Sequence, residues 1–272
     1  TDSTSSAAPL RSSYYAILCA VRADWPFSTS PGGLATDGYN GHSFWDESTW
    51  VMPNLMLLHP DIAYGSGFRY RFDRLAGAMV NARTTLNMTM GAAFPWESAF
   101  TGENVCPAPL FAHTEIHLTA DVMLAIREYA RLLAPAQRRV FLKDAWPVLN
   151  ETARFWVVRT TSEAAYRDNS SVHLNNVTGP DEYHLGNDSV FTNYAVQSAV
   201  GFAVDVATEL GTEADVADVW PYMLKIAADM TILYNKTGNY HPEYDGYTGE
   251  AVKQADVILL NYPLGMPMNR ST

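Results

Sequence analysis

Two adjacent carboxylates sit on a stiff turn, Gly179-Pro180-Asp181-Glu182-Tyr183-His184, between two long apolar helical segments. Gly and Pro fix such a turn, and a carboxyl on a rigid mount is what general acid catalysis asks for. Out of context the hexamer reads equally well as solvated punctuation, or as the cap of the helix that follows. Its company argues otherwise. Trp45-Asp46, Trp96-Glu97 and Lys253-Gln254 also stand at segment edges, and each joins a flat apolar surface or a long cation to a hydrogen-bonding group. A pyranose presents C–H faces and hydroxyls to such pairs, so four corners of this kind on one scaffold imply a sugar pocket.

Glycoside cleavage needs a protonated carboxylic acid for the leaving oxygen and a second carboxylate to activate water or attack carbon. Glu182 is the candidate acid. The like charge of Asp181 and burial among Tyr183, Tyr194 and nearby aromatics are expected to raise its proton affinity. Trp45 would stack on the sugar while Asp46 accepts from paired hydroxyls, although Asp46 with Glu47 also reads as a helix cap and its first turn. Trp96 and Glu97 repeat the aromatic-plus-acid pattern, against the plainer reading of a buried Trp beside an exposed Glu. Lys253 and Gln254 could donate to hydroxyls, or could begin a solvated helix. His113, Glu115 and His117 alternate like metal ligands, but on a helix that spacing puts the middle residue on another face. No catalytic metal and no cofactor are expected, and no Gly-rich phosphate loop, Ser elbow or spaced Cys/His dyad occurs.

Helical periodicity supplies the elements that must position these groups. It predicts helices over Ser12–Arg22, Trp50–His59, Phe68–Met88, Thr114–Leu133, Val140–Arg159, Phe191–Leu210 and Asp215–Tyr234, with few strands. Several are apolar around most of their circumference, which belongs to a layered or toroidal all-α fold rather than a small bundle. Asp144-Ala145-Trp146-Pro147-Val148-Leu149 echoes Asp218-Val219-Trp220-Pro221-Tyr222-Met223 and suggests a repeat. Long connections at Asp24–Phe44, Gly91–Ala112, Thr160–Val190 and Thr237–Gly249 contain or border the chemistry-bearing corners, and connections of this length are usually functional.

The chain has 272 residues and a net charge of −11, from 29 acidic and 18 basic residues. There is no basic stripe, so nucleic acid is not an expected partner. No apolar run suggests a membrane span. Cys19 and Cys106 read as two buried thiols rather than a disulfide framework. Asn-x-Ser/Thr occurs at Asn87, Asn150, Asn169, Asn176, Asn187, Asn235 and Asn269, where chance predicts about two. The excess favours a secreted or lysosomal/vacuolar protein, with the cytoplasm as the alternative.

Taken together, Gly41-His42-Ser43-Phe44-Trp45-Asp46, Trp96-Glu97-Ser98-Ala99, the Gly179–His184 turn and Lys253-Gln254-Ala255-Asp256-Val257 resemble glycoside hydrolase family sixty-five. The resemblance runs from Ser30 almost to the C-terminus and is greatest to the hydrolase branch. It implies an (α/α)6 barrel, present only in part; from length and composition residues 1–272 read as one domain, with 1–10, which opens on a Ser/Thr-rich stretch, expected to be disordered or a fragment end. It also implies an inverting attack on an α-glucoside, either of the glucosyl-galactosyl-hydroxylysine type or trehalose. By position Glu182 matches the family's general acid; Trp45, Asp46, Lys253 and Gln254 match the residues around the glucose; and Trp96 and Glu97 match contacts near the bond and the leaving group. The family's base comes from a segment downstream of the Lys-Gln pair, so the chain alone is expected to be nearly inactive. Asp46, Glu97, Glu243 and Asp256 are the stand-ins available within it. A phosphorylase of the same family and a non-catalytic carbohydrate-binding fragment are the alternatives.

Overall fold

The computed structural model describes residues 3–161 and 171–268. Among them the α-helices are, in chain order, α1 (Ser3–Ala20), α2 (Met52–Leu58), α3 (Pro60–Ile62), α4 (Arg69–Asp73), α5 (Leu75–Thr84), α6 (Pro109–Thr114), α7 (Leu118–Leu132), α8 (Pro135–Thr161), α9 (Val190–Leu210), α10 (Trp220–Asp229) and α11 (Asp256–Asn261). A short antiparallel hairpin, β1 (Val177–Thr178) and β2 (Leu185–Gly186), lies between α8 and α9.

The expected all-α architecture is present, and α9 is its centre, packed against α7, α8, α10 and α11. Its sequence explains the position. Val190, Phe191, Ala195, Val196, Ala199, Val200 and Ala203 are all fully buried, so apolar side chains face neighbours on more than one side. The Ser189 hydroxyl accepts the Thr192 N–H at the start, and Gly211 at φ 73° closes the end. Only Leu133 and Ala134 separate α7 from α8, which forces an antiparallel hairpin, and α8 opens on Pro135. Phe155 and Trp156 of α8 are fully buried.

Periodicity located α8 and α9 well and failed where helices are short. Phe68–Met88 is a π-helical turn ending at Phe68, then α4, then α5, with the break at Arg74. The Arg74 guanidinium donates to Pro26 O and Phe100 O, tying two long loops together. The helix expected from Thr114 is interrupted at Glu115–His117, between α6 and α7. Asp215–Tyr234 becomes a 3-10 turn, Glu213–Val216, followed by α10. The Trp-Pro echo is not a structural repeat. Pro147 lies inside α8, whereas Pro221 lies in the first turn of α10. Both thiols are free, but neither is fully buried: Cys106 is half-buried, and Cys19 is exposed because α1 packs through Ile17 and Leu18 and leads to buried Val21. Among the described residues no helix is long and apolar enough to cross a membrane.

Candidate active site

The acid turn is the tip of the β1–β2 hairpin. Val177 pairs with Gly186 and Thr178 with Leu185, so residues 179–184 form the connection. Thr178 Oγ1 meets Thr114 Oγ1 at 2.9 Å, fastening the hairpin to the end of α6. Inside the tip, Asp181 accepts the His184 ring N–H at 2.6 Å and the Lys253 backbone N–H at 2.6 Å. Gln254 donates its side-chain amide to Pro180 O. Lys253 Nζ lies 2.6 Å from Glu182 Oε2. The two carboxylates therefore divide the work. Asp181 is buried and holds the turn, while Glu182 lines an open cleft.

The two tryptophan corners are tied to each other. Ser43 and Ser98 exchange backbone N–H···O bonds of 2.8 and 3.1 Å. Arg71, buried, donates to Ser43 Oγ and Phe44 O and lies 3.6 Å from the buried Glu47 carboxylate. His42 Nδ1 donates to Glu97 Oε1 at 2.6 Å. Behind the corners, the rings of Trp45 and Trp96 meet His117 edge-on at 5.2 and 5.5 Å, and Phe191 of α9 closes on His117 at 5.2 Å. Asp121, one turn along α7, accepts a hydrogen bond from His117 Nδ1 at 2.7 Å. The core thus backs directly onto the aromatic wall of the site.

These elements enclose a cleft of about 520 Å³, within the range that small-molecule sites occupy. Trp45, Asp46, Trp96, Glu97, Glu182, Lys253 and Gln254 all line it, so every site residue chosen from the sequence is brought to one place. Tyr39, Phe44, Trp50, Cys106 and Phe111 line it too. Phe44 flanks the Trp45-Asp46 pair in sequence, which is the signal that could have found it; Phe111 carries none. The plainer readings of the corners do not hold. Asp46 precedes a π-helical turn, Glu47–Val51, without capping it. Ser189 rather than the acid pair caps α9, Glu97 is buried, and α11 starts at Asp256, beyond Lys253 and Gln254. One supporting expectation fails: Tyr183 is exposed and does not bury Glu182, because the hairpin tip turns that ring outward.

Burial dominates the electrostatics. It raises the Asp46 carboxyl, with the Glu182 charge adding to it, and it pushes Glu115 up to about 10 and Asp256 up to about 9. The hydrogen bond to Glu182 raises Lys253. Glu115 and His117, assigned no role in the sequence, prove to lie below the cleft, both fully buried and with 4.0 Å between Nε2 and Oε1. His113 is exposed and bonded to Pro109 O. Among the described residues no group of three or more acidic, His or Cys side chains could hold a metal.

Relatives share most of this chain. The protein-glucosylgalactosylhydroxylysine glucosidase of Dictyostelium discoideum is 40% identical over 267 residues, covering 96% of this chain and 36% of that protein. The kojibiose hydrolase of Flavobacterium johnsoniae is 35% identical over 257 residues, covering 94% and 36%. A solved chain from the human microbiome, provisionally described as a kojibiose phosphorylase, aligns with a TM-score of 0.71 at 22% identity, over 85% of this chain and 32% of that one. At that identity the likeness concerns the fold, which is that of an (α/α)6 barrel. The chain spans about a third of the length of the curated relatives it matches. Residues 13–251 match the model of the glycosyl hydrolase family 65 central catalytic domain, and it is to this family that the chain belongs.

Proposed function

We propose that the protein carrying this chain is an inverting glycoside hydrolase that releases glucose from an α-glucoside, with Glu182 as the general acid. A glucosyl-galactosyl-hydroxylysine unit is the first substrate choice and trehalose the second. The observation that carries the reading is the cleft itself: Glu182, on a hairpin tip clamped by Lys253 and Gln254, shares one cavity with both tryptophan corners. Trp45, Asp46, Lys253 and Gln254 would hold the glucose, and Trp96 and Glu97 would face the bond and the leaving group. Lys253 Nζ lies 2.6 Å from Glu182 Oε2 and is part exposed, so it would move to the sugar hydroxyls as substrate enters, leaving the Glu182 carboxyl facing the leaving oxygen.

Three of the four stand-in bases fall away, and the fourth, Asp46, is assigned to the glucose. Glu243 and Asp256 are buried and do not line the cleft, and Glu97 is engaged by His42. On this reading the base comes from another part of the full-length protein, and residues 1–272 by themselves are expected to turn over very slowly. Hydrolysis is preferred to phosphorolysis because the two relatives described above at 35–40% identity are named as hydrolytic enzymes, whereas the one named as a phosphorylase is 22% identical. A secretory-pathway location is proposed on the sequons: Asn87, Asn176, Asn187 and Asn235 are exposed, and Asn150 is half-buried within α8. Asn169 and Asn269 lie outside the described residues.

Glu182→Gln in the full-length protein tests the assignment. It should lower kcat about 10²–10⁴-fold on a natural glucoside and much less on α-glucosyl fluoride, whose leaving group needs no proton. Turnover of the natural substrate within twofold of wild type would end the reading. Proton NMR should show β-glucose as the first product, without added phosphate.

A further inference from the structure

Under the acid turn lies a second group of carboxyls that the chemistry above does not use. Asp256, in the first turn of α11, and Glu243, from the loop after α10, are both buried. Glu243 accepts the N–H groups of Asp256 and Val257, the latter at 3.1 Å, and so fixes the start of α11. Asp256 in turn faces the Asp181 N–H at the hairpin tip. It also lies hard against Gly179, where an added Cβ would come within 2.2 Å of Asp256 Oδ2 and 2.9 Å of Ser189 Oγ. Gly179 does not have positive φ. Space for this carboxyl, not backbone freedom, is what the glycine supplies.

We propose that Asp256 is the positioning residue of the acid turn: a buried carboxyl packed against Gly179 that holds the Gly179–Glu182 backbone in place beside the Lys253–Gln254 segment and so sets where Glu182 stands. The proposal rests on Glu182 being the general acid. Every titratable group that faces Asp256 makes a negative charge there unwelcome. Glu243 approaches from the loop and Asp181 from the hairpin tip, each already held by N–H donors, while Glu115 at the α6–α7 junction is itself raised by the Asp256 charge. The nearby cation, Lys253, is engaged by Glu182. Burial first, then Glu243 and Asp181, push the Asp256 carboxyl up to about 9, and its Oδ1 meets no hydrogen-bond partner. Above that pH a newly charged Asp256 repels both neighbours, and the tip comes away from α11.

Amide hydrogen exchange of residues 181–184 in the full-length protein, expressed as protection factors from about pH 6 to about pH 10, reads this directly. In the wild type, protection should fall about tenfold or more as pH rises through the value at which Asp256 ionises. Asp256→Asn, the same shape with nothing to titrate, should keep its protection throughout, and Asp256→Ala should lose about tenfold at every pH. The proposal is overturned if Asp256→Asn loses protection at high pH as the wild type does, or if Asp256→Ala exchanges like the wild type. Exchange is read without turnover, so a fully active Glu182→Gln would remove the acid assignment and leave the exchange result standing.

Discussion

Glu115 shows what burial does to a carboxyl that no donor reaches. Neither of its oxygens has a hydrogen-bond partner, and burial, then the Glu182 charge, lift it from an ordinary 4.5 to about 10. The unfolded chain ionises Glu115 first, so folding takes up a proton between those two values. Stability from this group is therefore present in full below pH 4.5 and declines as pH rises toward 10, by up to about 1.4 kcal/mol per pH unit. Glu115→Gln should leave Tm nearly unchanged near pH 4 and raise it above wild type at pH 7–9, as scanning calorimetry can follow. Equal shifts at both ends would mean that the folded protein holds Glu115 ionised. The sequence could not reveal this residue. The phase argument that set His113, Glu115 and His117 apart assumes a continuous helix, and the helix is broken at that point.

At the level of elements, the cleft depends on short irregular pieces pinned by a few buried polar groups. Two π-helical turns, Glu47–Val51 and Ala63–Phe68, widen their helices locally, and such turns recur at functional sites. They bring Gly67 so close to Glu47 that an added Cβ would lie 2.5 Å from its carboxylate. Arg71 of α4 answers the buried Glu47 charge and also holds the loop leading into Trp45. Arg71→Met removes that cation and leaves Glu47 unpaired, a loss of about 3–5 kcal/mol. Urea denaturation should show it as a lower midpoint at unchanged slope, and a loss under 1 kcal/mol would mean that Glu47 is neutral without Arg71. Hydrophobic period found the long helices because one face repeats over many turns. It missed these pieces because a run of five or six residues contains too few repeats to separate α from π or to show a break such as Arg74.

For the whole molecule, stability rests on the helices around α9, and Trp156 of α8 is among the largest side chains wholly enclosed there. Trp156→Ala should cost about 3–5 kcal/mol. Trp156→Phe should cost clearly less, since it keeps most of the ring and removes an indole N–H that meets no acceptor. Thermal melts of the two variants rank them, and an equal loss would show that the indole N–H has an unseen partner.

The amino-acid sequence alone determined the helical class, the long helices and the residues with the right chemistry, because side-chain type and period are local properties. Trp45-Asp46, Trp96-Glu97, Glu182 and Lys253-Gln254 were legible as separate corners. Their meeting in one cleft was decided by tertiary contacts: the Ser43–Ser98 bridge, the Thr114–Thr178 tie and the Lys253–Glu182 pair. The same contacts divided Asp181 from Glu182, since two neighbours on a turn acquire different roles only when one is enclosed by donors and the other faces open space.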